Sequence, residues 1–206
     1  TVANNDTAKT TAQSINQQTQ STGVTATART EAQLTFGAIG AYGIKMQSEN
    51  GASDPVTISF SLTATSGAES LSAAVSAINE QSSKTGVVAS LNSDASGIIL
   101  TNATGNNIAI GSTGSANAGT VTMQKLVGDG SGSVTTAGTA TALAATTNVE
   151  NVGVSGYITL DSDKSFSAVS TTTTALGAAG ATLNSGLKKV SDLDVTSFGK
   201  ATLSLK

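Results

Sequence analysis

The clearest pattern along the chain begins at Val56. Val56, Ile58, Phe60 and Leu62 alternate with Thr57, Ser59, Ser61 and Thr63, a period of two that predicts a strand with one buried face. Asp54-Pro55 in front of it marks a turn. Ser66 then precedes Glu69 at capping-box spacing. Leu71, Ala74, Val75 and Ile78 follow at helical spacing and predict one apolar stripe. Gly86 ends that helix, because glycine accepts the left-handed conformation of a terminating turn. Val87, Ala89 and Leu91 open a second strand, Asn92 to Gly97 make a polar turn, and Ile98 to Leu100 make a third strand. Ile108 and Ile110 predict a fourth, after the turn at Thr104-Gly105-Asn106.

Part of this pattern occurs twice. The segment from Ser14 to Ala26 aligns without gaps on Ala77 to Ala89. The identical positions are Ile15/Ile78, Asn16/Asn79, Gln18/Gln81, Thr22/Thr85, Gly23/Gly86, Val24/Val87 and Ala26/Ala89. They include the apolar positions and the punctuating glycine, so the match is an internal repeat. The first copy predicts a helix over residues 6–21 with Ala8, Ala12 and Ile15 on one face, stopped by Gly23. Val24–Ala28, Gln33–Phe36 and Tyr42–Gln47 are its strand candidates; its leading strand is missing, to be supplied from outside this sequence or from later in the chain, as by the hairpin at 156–169, which would complete its sheet.

Beyond residue 111 the chain becomes rich in Gly, Ser, Ala and Thr. Val121 and Met123 predict a strand, and residues 133–150 read as low complexity. Gly156–Asp161 and Ser165–Val169 predict a hairpin turning at Ser162-Asp163-Lys164. Residues 175–189 space Leu176, Leu183 and Leu187 loosely, and Asp194-Val-Thr-Ser197 predicts the entry to a helix.

Composition narrows the chemistry. Hydrophobic residues make up 38% and aromatics 3% of 206 residues, so the core rests on Val, Ile, Leu and Ala. The large anchors are Phe36, Tyr42, Phe60, Tyr157, Phe166 and Phe198. A net charge of −3 with no basic stripe gives no footprint for nucleic acid. No run of 18 apolar residues is present to span a membrane. Cys and His are both absent, which removes disulfides, thiolate metal sites, Ser-His-Asp triads and His-based zinc helices. The start in mid-pattern reads as a piece of a longer protein.

The remaining candidates reduce to local structure. Asp161 and Asp163 fall in the expected hairpin turn, where Asp bonds locally, and with Asp129 they suggest no acid/base pair or calcium site. Gly128-Asp-Gly-Ser-Gly132 resembles half a calcium-binding nonapeptide but occurs once. Gly111 to Gly119 lacks the Gly-Lys-Ser/Thr of a phosphate loop. Asn5-Asp-Thr7 and Asn102-Ala-Thr104 match the N-glycosylation triplet, Thr171 to Thr174 are possible O-linked acceptors, and Lys188-Lys189 read as a solvated pair. No catalytic, cofactor-binding or metal-binding residue is assigned, and no cofactor is expected.

Ala77-Ile-Asn79, Thr85-Gly-Val-Val-Ala89 and Gly97-Ile-Ile-Leu-Thr101 together resemble the hook IN motif of bacterial flagellins and flagellar cap proteins. Ser14-Ile-Asn16 with Thr22-Gly-Val24 looks like a degenerate second copy. Ser191 to Ser197, followed by Ala201-Thr-Leu-Ser-Leu205, is similar to the segment that returns from a flagellin's outer domains to its inner helix. The resemblance implies the surface-exposed outer domains of flagellin without the inner helices. Filament contacts to other flagellin subunits would then be made by parts absent here, and this piece alone would be a monomer. It also implies an extracellular place on the bacterial flagellum, and a structural rather than enzymatic role in swimming motility and as an antigenic surface.

The fold expected is α+β and β-dominated, with two small antiparallel sheets each carrying a packed short helix in a repeated strand–helix–strand meander. The domains expected are 1–46 with 152–195 as the first, 47–151 inserted as the second, and 196–206 as the start of a return helix. Two tandem domains are the alternative. The rival functions are a filament-cap fragment, a secreted adhesin or glycan-binding module, and, last, a carboxylate-only hydrolase.

Overall fold

A computed structural model describes residues 6–129, 133–169 and 182–186. Two helices open the chain, α1 (Ala8–Asn16) and α2 (Thr19–Thr22). Strands β1 (Thr25–Phe36), β2 (Gly40–Gln47) and β3 (Val56–Leu62) follow, then helices α3 (Ala68–Asn79) and α4 (Ser82–Thr85). Next come β4 (Val88–Leu91), β5 (Ile98–Asn102), β6 (Ile108–Ser112) and β7 (Val121–Gly128). Six short strands complete the order: β8 (Val134–Thr136), β9 (Thr141–Leu143), β10 (Asn151–Val154), β11 (Tyr157–Asp161), β12 (Ser167–Val169) and β13 (Thr182–Asn184).

The protein is β-dominated and its strand pairs are antiparallel. Among the described residues the strands form three sheets. The largest runs β4-β5-β1-β7-β8, with β11 paired to β1 and β9 paired to β7. The second runs β10-β6-β2-β3, and the third is the β12-β13 pair. The alternation at Val56–Leu62 does what period two requires: Ile58, Phe60 and Leu62 are buried while Thr57, Ser59 and Ser61 are exposed.

One apolar cluster fills the space between the two larger sheets. Leu34 and Phe36 come from β1, Ile44 and Met46 from β2, Ile98 and Leu100 from β5, and Ile108 and Ile110 from β6. Helix α3 packs on β3 and β4, edge strands of the two sheets, and adds Leu71, Ala74 and Ile78. Three aromatics meet in this core: Phe36 lies edge-on to Tyr42 and Phe60, with centroids 5.1 and 5.5 Å away. Ala8, Ala12 and Ala26 are buried as well but lie outside the cluster, beneath the first helix.

Several sequence expectations change. Apart from Val24, which precedes it, the expected strands Val24–Ala28 and Gln33–Phe36 are parts of one twelve-residue strand, β1. Arg29, Thr30 and Glu31 interrupt its apolar alternation, yet the strand continues because it changes partners there. Thr25–Arg29 pair with β11, whereas Thr30 onward pairs with β5 and Glu31 onward with β7. The expected hairpin of Gly156–Asp161 with Ser165–Val169 does not form. Its first arm pairs with β1 and its second with β13, whose Leu183 lies beyond the reach of local pattern. The low-complexity stretch 133–150 contains β8 and β9, and one side chain, the fully buried Leu143, anchors it to the core. The Ser66–Glu69 capping box is also not formed. Gly67 is the N-cap of α3 without a side-chain bond, and Ser70 instead accepts from Ala64 N and donates to Ala64 O. Among the described residues no helix is long and apolar enough to cross a membrane. The expected helix entry at Asp194–Ser197, Phe198, Thr171–Thr174 and Lys188-Lys189 lie outside the described residues.

Candidate functional site

The repeated segment builds the same object twice. In the second copy, α3 ends at Asn79 and the single turn α4 ends at Gly86, which has φ +68°. That left-handed conformation costs an L side chain roughly 1–2 kcal/mol, which is why glycine stands there. The Asn79 side chain then grips the following strand. Its Nδ2 donates to Ala89 O at 2.9 Å and its Oδ1 accepts from Ala89 N at 2.7 Å. An amide side chain thus bonds like a neighbouring strand and covers the open edge of β4, where bare backbone groups would otherwise recruit another chain. Thr85 completes the turn by donating to Gln81 O and accepting from Val87 N.

The first copy repeats each bond. Asn16 donates to Ala26 O at 2.8 Å and accepts from Ala26 N at 2.7 Å. Gly23 has φ +68°, and Thr22 donates to Gln18 O and accepts from Val24 N. The correspondence runs on into strands that are not adjacent in sequence. Ala89 pairs with Leu100 and Leu91 with Ile98; in the first copy, Ala26 pairs with Leu160 and Ala28 with Ile158. Asn102 donates to Gly86 O and accepts from Thr104 N, while Ser162 donates to Gly23 O and accepts from Lys164 N. Ile158-Thr-Leu-Asp-Ser162 therefore stands where Ile98-Ile-Leu-Thr-Asn102 stands. This later stretch was not part of the repeat seen in sequence. The strand at Gly156–Asp161 was expected, but its equivalence to Ile98–Asn102, two apolar residues two apart followed by a turn-forming Asn or Ser, shows only through the pairing.

Electrostatics distinguish the copies. Glu49 accepts from Thr104, Asn102 and Asn106 beside the Gly86 turn. Those bonds, the one from Thr104 foremost, hold its carboxyl below the usual range against a smaller opposing effect of burial. Near the first copy, Tyr157 donates to Glu31 at 2.6 Å, and Arg29 lies 2.9 Å from the other oxygen of that carboxylate. Burial, then the bond to Glu31, raises the Tyr157 phenol above its ordinary value. Burial also lowers the Lys125 ammonium.

The other candidates fall apart spatially or are used locally. Asp129 accepts from Ser133 N in the turn between β7 and β8, and Asp161 pairs opposite Thr25 at the end of β11. No group of three or more acidic side chains capable of holding a metal occurs among the described residues. Residues 113–119 run as a loop into strand β7, and Asn117 accepts there from Gly43 N at 2.7 Å. In the Asn102-Ala-Thr104 triplet, Asn102 is fully buried and both ends of its amide are bonded, a structural use that leaves nothing for a glycan. A surface depression lined by Ala41, Thr57, Ser59, Ser115 and Asn117 holds no acidic or basic side chain.

Residues 50–104 match the family model of the flagellin hook IN motif. The match covers β3 through β5 and the Asn79–Ala89 bracket, so this segment is a unit of the flagellin surface-domain type. Flagellins are structural proteins that assemble into filaments with one another. No curated protein matches the chain.

Proposed function

We propose that this chain is the solvent-facing part of a bacterial flagellar filament subunit, serving swimming motility as a structural and antigenic surface. One observation carries the reading. The Asn79–Ala89 bracket inside the hook IN segment at 50–104 is repeated by a second bracket, Asn16 on Ala26, which the family model does not cover. A chain that builds the same bracketed turn twice has the makings of a scaffold. Filament contacts with other subunits would be made by helices outside these residues, and the piece alone would be monomeric and extracellular.

The domain arrangement we propose is nested, an inserted body between two flanking segments, with narrower flanks than 1–46 and 152–195, because β2 pairs with β3 and β6, and β10 with β6, inside the inserted body. What supports it is the supply of β11 to the first unit from far along the chain. The crossing itself would lie within β1, between Arg29 and Thr30, where partners change. Antibodies raised against this chain and imaged on intact cells test the function. Labelling along the whole length of the filament is expected. Labelling confined to the filament tip would overturn it in favour of a cap protein, and labelling elsewhere on the cell in favour of an adhesin.

A further inference from the structure

Among the described residues, the place where β1 changes partners is crossed by the backbone twice, once by β1 and once by the segment leading into β11. A pair of single-chain crossings with little between them makes a hinge. Here the crossing is filled. Glu31 is buried and holds both Arg29 on its own strand and the Tyr157 hydroxyl at 2.6 Å from the returning strand. Lys125, on β7 of the large core, donates to Ser155 Oγ at 3.0 Å and Gly156 O at 3.4 Å on that same return segment. A Cβ on Gly156 would come within 2.8 Å of both the Ala8 methyl and Arg29 O, so the return segment lies directly against α1 and β1. On the other side, the turn after β5 reaches over to the first helix. Gly105 O accepts from Lys9 N at 3.2 Å, satisfying one of the free N–H groups in the opening turn of α1.

From this geometry we infer that the joint between the first unit and the larger sandwich is a locked elbow, fixed by the Glu31–Tyr157 bond, the Lys125 contact and the Gly105 cap. The elbow sets one direction for the sandwich relative to α1 and does so through side chains from both bodies. This inference concerns the chain itself and holds whatever the chain assembles into.

The chain has no cysteine, so two labels can be placed cleanly. Gln20→Cys in the first unit and Ser61→Cys on β3 are both exposed positions. Spin labels there, read by pulsed dipolar spectroscopy, are expected to give one narrow distance distribution in the otherwise unchanged chain. Tyr157→Phe combined with Lys125→Met is expected to lose that single narrow peak. A broad or multiple distribution before any joint substitution overturns the inference. So does a peak that stays as narrow in the double variant. Should the double variant fail to fold, Tyr157→Phe alone, which keeps the ring and the Arg29–Glu31 pair, decides. Faster amide exchange at Arg29 and Thr30 with unchanged exchange at Ala89 supports the lock, and unchanged exchange at all three overturns it.

Discussion

The two bracketed turns have the same local bonds but different surroundings. In the second, the arms of the sheet are joined by the short turn from Asn92 to Gly97, and helix α3 presses Leu71, Ala74 and Ile78 into a large core. In the first, everything from Thr30 to Gly156 stands between the arms, and α1 buries only Ala8 and Ala12. Ile15, the counterpart of the fully buried Ile78, is half-buried. The difference teaches that the motif is closed by short-range bonds, from Asn to the strand ten residues on, and tolerates a distant partner strand. Loop-closure entropy grows only slowly with length, so a long insertion between paired arms is thermodynamically acceptable.

The largest expected contrast lies in the helices. Ile78→Ala should cost about 2–5 kcal/mol, as full-core truncations do, and Ile15→Ala well under half of its partner's value. Denaturant unfolding of both variants measures it, and equal costs would mean the first unit has a core as tight as the second.

The brackets come next. Asn79→Ala strands the Ala89 backbone groups and should cost about 1–3 kcal/mol, and Asn16→Ala, at an exposed position, less. Amide exchange at Ala89 and Ala26 should accelerate only in the matching variant. Acceleration of both by either substitution would show that the units open together.

The glycines give a finer contrast. Gly23→Ala meets nothing closer than Ser162 Oγ at 3.8 Å, so it should cost only the left-handed backbone term, about 1–2 kcal/mol. Gly86→Ala bears the same term and also displaces the Glu49 carboxyl from its bonds to Thr104 and Asn102, so its midpoint should fall further.

The smallest effect is in acid. The Glu49 carboxyl titrates below its ordinary value of 4.5 in the folded protein, so its contribution is present above that value and is lost as pH falls below it. Glu49→Gln should flatten the acid limb of the stability curve. The first turn is held by the Ser162 hydroxyl, which does not titrate there, so Ser162→Ala should lower the curve without changing its slope.

Much of the second unit was legible. The alternation at Val56–Leu62, the stripe on α3, the stop at Gly86 and the strands to Ile110 all lie within short windows, where side-chain period reports which face is buried. The polar residues that hold the turns were less so. Asn102 matched a glycan-acceptor triplet, because nothing local shows that Glu49, Gly86 and Thr104 converge on it. Glu31 falls in the gap between the expected strands Val24–Ala28 and Gln33–Phe36, and the Tyr157 hydroxyl and Arg29 make a buried carboxylate acceptable in mid-strand.

By itself the sequence determined the repeated turn, since a left-handed glycine and an Asn bracket act over about ten residues and need no distant help. Tertiary structure alone decided which strands pair. Tyr157–Asp161 is compatible with a local hairpin and with β1, and the choice rests on burial against α1 and on the Glu31 bond. The short strands of residues 133–150 depend in the same way on one buried leucine finding a core that the rest of the chain has built.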